Sequence, residues 1–272
     1  MNELSLFTGA GGGLLASQLL GWSTVCACEI EPYARSVLLQ RQRDGALDRF
    51  PIWDDVQTFD GTPWRGSVDV ISGGFPCQDI SSAGKGKGLS GSRSGLVWEM
   101  LRIVGEVRPR FVFAENSPHL RTNGLGSVIS GLGAMGYNCA WGVLGAWHAG
   151  GPHKRDRLWI VASNADVPRK RTLPVNAQMG GASEVGGILR EVGPTADAGR
   201  YGLEKQQRGS GGTCGEGAPE HRYPNPWPEP PTAGVDDGLA YRMDRVRATG
   251  NGQVPVVAAI AFDVLSRTLA HN

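Results

Sequence analysis

Over the first 165 positions, short apolar runs alternate with longer segments whose apolar residues recur at helical spacing. LSLF (4–7) leads through a glycine turn into LLASQLLGW (14–22), and TVCACE (24–29) leads into PYARSVLLQRQRDG (32–45). VDVISGG (68–74) passes through a polar loop to GLVWEMLRIVGEV (95–107). RFVFAEN (110–116) precedes SVISGLGAMG (127–136), and RLWIVAS (157–163) ends the series. Strands alternating with helices predict βαβ units and a mostly parallel sheet, hence an α/β fold. Such sheets bind ligands beyond the carboxyl ends of their strands, so residues at those ends are the first candidates for function.

The pattern changes near Asn164. From there to about Gly238 the chain is rich in Gly and Pro, with NPWPEPP at 225–231, and apolar periodicity is weak. This stretch reads as a small inserted domain or an extended loop system. Helical spacing returns in QVPVVAAIAFDVLSRTLA (253–270), an amphipathic helix able to pack back on the first domain.

Composition adds limits. A chain of 272 residues with a formal charge of +1 is not basic overall, although a local basic groove is compatible with that balance. Five cysteines with no paired CxxC framework point to a reducing compartment. No positive charge precedes LLASQLL, so no signal peptide is expected, and VPVVAAIAF is too short to span a bilayer.

The candidate chemistry sits at the predicted strand ends. In LSLFTGAGGGLL (4–15) a glycine turn lets backbone amides approach a ligand at a helix start. Leu14 stands where an NAD fingerprint requires Gly or Ala, and no P-loop lysine is present. Glu29 ends the second strand, where a carboxylate accepts from both ribose hydroxyls; alternatively it is a solvated acid at a helix start. Cys77, in GGFPCQDIS (73–81), lies where a strand gives way to a loop. A cysteine there is either core packing or a reactive thiol. The loop SSAGKGKGLSGSRSG (81–95) carries Lys85, Lys87 and Arg93, which suit phosphates or simply face solvent. RFVFAEN brings Glu115 and Asn116 to the same sheet edge, and a thiol beside a carboxylic acid suits covalent catalysis. HKRDRLWIVAS (153–163) sets Arg155 and Arg157 on one face by the period of two, unless both are surface cations.

Together and in this order, these segments resemble the DNA cytosine-5 methyltransferases over nearly the whole chain outside 164–238. LFTGAGG is similar to the family's first motif, which implies cofactor contacts from Phe7, Gly9, Gly11 and Gly12. The resemblance assigns the ribose to Glu29, the adenine to Ile30 and its amino group to Asp55, with Val56 alongside. GGFPCQ matches the catalytic motif, with Cys77 as nucleophile and Gly74, Pro76 and the later Leu96 against the cofactor. ENS resembles the ENV motif, making Glu115 catalytic and Asn116 its structural support. HKRDR resembles QxRxR and adds Arg155 and Arg157. GNGQVP (250–255) resembles the motif that returns Asn251 and Gly252 to the cofactor. Ser5, Ser117 and His153 replace the usual Asp, Val and Gln, and GLAYRMDRVRAT (238–249) has no recognisable family counterpart.

The resemblance implies a Rossmann-like S-adenosylmethionine-dependent methyltransferase fold of the compact prokaryotic or phage type. Its expected parts are a catalytic and cofactor-binding domain at 1–163, a small target-recognition domain at 164–238 and a return segment at 239–272. The implied reaction moves a methyl group from S-adenosylmethionine to cytosine C5 in a short duplex DNA site, leaving S-adenosylhomocysteine. The target atom is inaccessible in a stacked duplex, so the base must flip out. Gln78, Ser81, Ser82, Lys85, Lys87 and Arg93 are expected on the DNA. No metal and no membrane are expected, and the protein is expected to be a cytoplasmic monomer serving restriction-modification or phage DNA protection. The same chemistry on tRNA, and a DNA-binding relative without turnover, are the alternatives.

Overall fold

The computed structural model describes residues 1–76, 95–151, 153–167 and 252–271. In chain order these form β1 (Asn2–Leu6), α1 (Gly12–Leu19), β2 (Ser23–Cys28), α2 (Pro32–Arg43), β3 (Ile52–Trp53), β4 (Val70–Gly74), α3 (Leu96–Val107) and β5 (Phe111–Asn116). They continue with α4 (Leu125–Ala134), β6 (Tyr137–Leu144), β7 (Arg157–Asn164) and α5 (Pro255–His271). The helix and strand segments expected from the apolar pattern are therefore present. Pro32 opens α2 at a position where its missing N–H costs nothing, and Arg41 and Arg43 lie in the last turn, complementing the helix dipole.

The strands form one sheet in the order β3-β2-β1-β4-β5-β7-β6. The pairs from β3 to β5 are parallel, as expected. β7 departs from that expectation, because it runs antiparallel to both β5 and β6. Only a short 3-10 turn (Ala146–Ala149) lies between β6 and β7. Without a crossover helix, consecutive strands pair antiparallel. β6 itself went unrecognised because Asn138 and Gly142 interrupt its apolar run.

From β1 the chain moves outward to β2 and β3, then returns to place β4 on the other side of β1. That reversal leaves a crevice at the carboxyl edge, the usual ligand position in such sheets. Side-chain alternation divides the sheet cleanly into two faces. Leu4, Ile71, Val112 and Ile160 pack on one face with Ile103 of α3 and Leu132 of α4. Val70, Phe111, Phe113, Trp159 and Val161 pack on the opposite face with Ala16 of α1 and with α5.

On that second face α5 buries Val257, Ala258, Ala261, Phe262, Leu265 and Leu269. The Phe262 ring meets Trp22 at 4.6 Å, Phe113 at 5.4 Å and Phe111 at 5.6 Å between centroids, each edge to face. The expected return of this helix onto the first domain is thus observed. The expected recognition segment, 164–238, lies outside the described residues from position 168 onward.

Candidate functional site

A cleft of about 750 Å³ opens at the carboxyl edge of β1, β2, β4 and β5. Its floor is the turn after β1. Phe7, Gly9 and Gly11 there adopt φ of 53°, 58° and 91°, the left-handed region that glycine enters without a Cβ clash. Gly11 is the N-cap of α1, and a Cβ on it would meet Leu38 at 3.0 Å. Gly11 turns the chain, and neither Gly11 nor Gly12, both expected on the cofactor, is among the residues lining the cleft. Gly12 faces a second, smaller recess and packs against the backbone of Gln253.

Glu29, at the end of β2, is buried, and both its carboxylate oxygens are held. Gly9 N–H donates to Oε2 at 2.5 Å, and Glu31 N–H donates to Oε1 at 2.8 Å. The carboxylate is thereby fixed beside the glycine turn, with lone pairs remaining for a hydroxyl-bearing ligand. Phe7, Ile30, Val56 and Leu96 supply apolar wall, and Asp55 a further acid. Ile30 is 62% exposed, an unusual position for a large aliphatic side chain and a surface for a flat ring. Gly74, Pro76 and Gly252 complete this part of the lining.

The other end of the cleft is built by β4, β5 and β7. Glu115 pairs in register with Gly74 on one side and Trp159 on the other. A Cβ on Gly74 would come within 2.7 Å of Glu115 Oε2, so the missing side chain is what lets the carboxylate lie over β4. Arg157, on the same face by strand alternation, places Nε 3.0 Å from Glu115 Oε1. Glu115 is only 8% exposed. Burial pushes its carboxyl above the ordinary value, while Arg157, a hydrogen bond from Gln253 and the charge of Arg155 oppose the rise. The net upward direction suits a group that gives or shares a proton.

Asn116 faces the opposite side of the sheet. Its Nδ2 donates to the Phe75 carbonyl at 2.8 Å, and its Oδ1 accepts from Ser117 N–H at 2.7 Å. It thus fixes the chain where β4 enters the segment leading to position 77. Arg155 precedes β7 with φ 39°, so the period of two holds only from Arg157 onward. Its guanidinium donates to the Gly252 carbonyl and lines the smaller recess rather than the main cleft. Burial, and then repulsion from Arg157, lower its pKa from the ordinary guanidinium value despite the attraction of Glu115.

Cys77, Gln78, Ser81, Ser82, Lys85, Lys87, Arg93 and Asn251 lie outside the described residues. Among the lining residues that the sequence reading did not assign, Gln253 makes the most telling contact. Gln253 reaches from the segment before α5 into the cleft and hydrogen-bonds Glu115. Its position directly after Gly252 in GNGQVP was the available signal. Among the described residues no cluster of His, Cys, Asp and Glu is arranged to hold a metal ion.

A family model described as C-5 cytosine-specific DNA methylase matches residues 1–206. The type II methyltransferase M2.BsuMI of Bacillus subtilis (strain 168) is 33% identical over 180 residues, covering 62% of this chain and 43% of that protein. The type II methyltransferase M.PspPI of Psychrobacter sp. (strain TA137) is 35% identical over 169 residues, covering 60% of this chain and 40% of that protein. The chain therefore spans less than half the length of these two relatives. A Spodoptera frugiperda DNMT2 structure superposes with a TM-score of 0.50 at 21% identity, over 63% of this chain and 53% of that one, a likeness of fold.

Proposed function

The chain belongs to the C-5 cytosine-specific DNA methylase family, and from that premise we propose that it methylates cytosine C5 in duplex DNA. The observation carrying this reading is the pair of buried Glu115 and half-buried Arg157, at 3.0 Å, in the same cleft as the glycine turn and Glu29. One cleft offers both a nucleoside-type pocket and a carboxyl group with a guanidinium beside it.

The residues present fit S-adenosylmethionine. Glu29 is oriented by the glycine turn for ribose hydroxyls, while Ile30, Val56, Phe7 and Leu96 flank space for a purine. Asp55, which lines the same cleft, would accept from an exocyclic amine. When bound, this group supplies an electrophilic methyl. A cleft of this size falls within the usual range for small-ligand sites.

At the other end, Cys77 adds as thiolate to cytosine C6 and leaves C5 electron-rich. Glu115 hydrogen-bonds or protonates N3 as negative charge develops on the ring, and Arg157 holds the base's carbonyl oxygen. Once C5 carries the methyl group, its proton passes to water, the C6–S bond breaks to release the Cys77 thiolate, and the ring is restored. Gln78, Ser81, Ser82, Lys85, Lys87 and Arg93 serve the DNA strand, and the 164–238 segment reads flanking bases in the major groove. A single copy of the chain supplies every group used, in a bacterial or phage-infected cytoplasm. No helix among the described residues is long and apolar enough to cross a membrane.

Labelled methyl transfer to duplex DNA, with tRNA as competitor, tests the reading. Wild-type protein should label DNA at cytosine C5, and Cys77→Ser should abolish transfer. Transfer by that variant, or exclusive labelling of tRNA, overturns the proposal.

A further inference from the structure

Gln253 makes contacts that extend beyond the cofactor lining. Its side-chain Oε1 lies 2.8 Å from where a Cβ on Gly13 would stand, and its Nε2 lies 3.4 Å from the equivalent point on Gly74. Its backbone carbonyl is 2.6 Å from the point above Gly12. Three missing side chains thus make room for this residue. Above Gly74, Nε2 shares its location with Glu115 Oε2, and the carboxamide hydrogen-bonds that carboxylate. The opposite oxygen, Oε1, is held by Arg157.

We propose that Gln253 is a positioning residue for the methyl-transfer reaction, its carboxamide lying between the first turn of α1 and Glu115 so that the carboxylate is held in one orientation. This rests on the methyltransferase reading above. With Arg157 alone, the carboxylate can pivot about a single contact; the second donor fixes its plane over Gly74. A donor to the ionised form also favours ionisation. The groups facing Glu115 are Gln253 from the segment before α5, Arg157 from β7 and Arg155 ahead of β7. Gln253 therefore helps set the pH range in which Glu115 carries its proton, alongside the two arginines.

The test compares wild type, Gln253→Met and Gln253→Glu, both of similar length to glutamine. Each is assayed for methyl transfer to duplex DNA across pH, with S-adenosylmethionine binding and thermal melts measured in parallel. For Gln253→Met, kcat should fall about tenfold or more, the scale of a lost hydrogen bond to a charged group. KM for S-adenosylmethionine should change much less. The limb of the pH profile governed by Glu115 should move to higher pH, because the ionised form has lost a donor. Gln253→Glu should move it further, since a like charge replaces the donor. If the Met variant fails to fold, the Glu variant carries the test. Unchanged kcat and pH limbs in the folded variants, or a loss confined to S-adenosylmethionine affinity, overturn the proposal. A wild-type protein that binds S-adenosylmethionine but transfers no methyl group to DNA refutes instead the reading on which it rests.

Discussion

Replacing Asn116 by alanine should separate the support of the site from its chemistry. Asn116 is 3% exposed, and Phe75, whose carbonyl it bonds at 2.8 Å, is also 3% exposed. Truncation removes two hydrogen bonds, but their costs differ. Ser117 N–H borders the cleft, where water can replace the lost acceptor. The Phe75 carbonyl sits against the core cluster under β4 and is left unpaired, a penalty of about 1–3 kcal/mol. For a domain of this size that corresponds to about 2–4 °C in Tm per kcal/mol. The loss of activity should exceed what the loss of stability explains, because Phe75 begins the segment that carries Cys77. Asn116→Asp keeps the size but turns an oxygen toward the carbonyl oxygen, so it should be worse than alanine at neutral pH. Urea unfolding gives the stability difference, and labelled methyl transfer at a temperature where both variants are folded gives the activity. An Asn116→Ala protein within about 0.5 kcal/mol of wild type and fully active would refute this account, since surface-like substitutions fall in that range. So would an Asp variant no worse than the Ala variant.

Two further outcomes concern the buried acid Glu3 and a pair of helix glycines. Glu3 is fully buried and accepts from Ser17 (2.7 Å), Thr24 (2.7 Å) and Ser72 (2.5 Å). Burial raises its carboxyl above the unfolded value of 4.5 against the three hydroxyl bonds, so its stabilising contribution is complete below that value and is lost as pH rises through the folded one. Glu3→Gln should therefore gain stability relative to wild type as pH rises through that window, with a slope approaching about 1.4 kcal/mol per pH unit; urea unfolding at several pH values would show no such trend if the account is wrong. Gly12→Ala would press a Cβ to 2.6 Å from the Gln253 carbonyl, so it should destabilise by about 1–3 kcal/mol and weaken S-adenosylmethionine binding. Gly126→Ala in α4, where a Cβ meets nothing within 4 Å, should instead be neutral or stabilising; equal effects at the two sites in thermal melts would contradict the packing argument.

The elements with strong periodicity were legible in the sequence because burial on one or both faces leaves a pattern along the chain. α3 shows it well, with Val97, Met100, Leu101, Val104 and Val107 all turned inward. β6 was not legible, since Asn138 and Gly142 interrupt its apolar run and its identity as a strand depends on pairing with β7. At the site, Glu29, Glu115 and Arg157 were found from residue type at strand ends, and the structure brings them into one cleft. Gly11 and Gly12 stand off the cleft lining for a physical reason. A glycine-rich turn signals that something approaches closely, but the pattern does not say what. For Gly12 the neighbour is the protein's own Gln253 backbone. Gln253 was missed for the complementary reason: its hydrogen-bond partner, Glu115, lies far away in the chain and nothing local marks the contact.

That long-range contact ties α5 to the cleft. The helix carries no acid or base into the cleft, yet it holds Gly252 and Gln253 just ahead of its first turn. Its own position is set by the edge-to-face packing of Phe262 on Trp22, Phe111 and Phe113. Phe113 in turn stacks at 5.4 Å on Trp159, and both rings lie on strands that deliver catalytic candidates, Glu115 two positions after one and Arg157 two positions before the other. One aromatic layer therefore sets the relative placement of Glu115, Arg157 and Gln253. A rigid body of packed rings transmits displacement where a flexible surface would absorb it. The acid's partners, Arg157 and Gln253, are separated by about a third of the chain, but their alignment depends on the same few buried contacts that hold the last helix to the sheet.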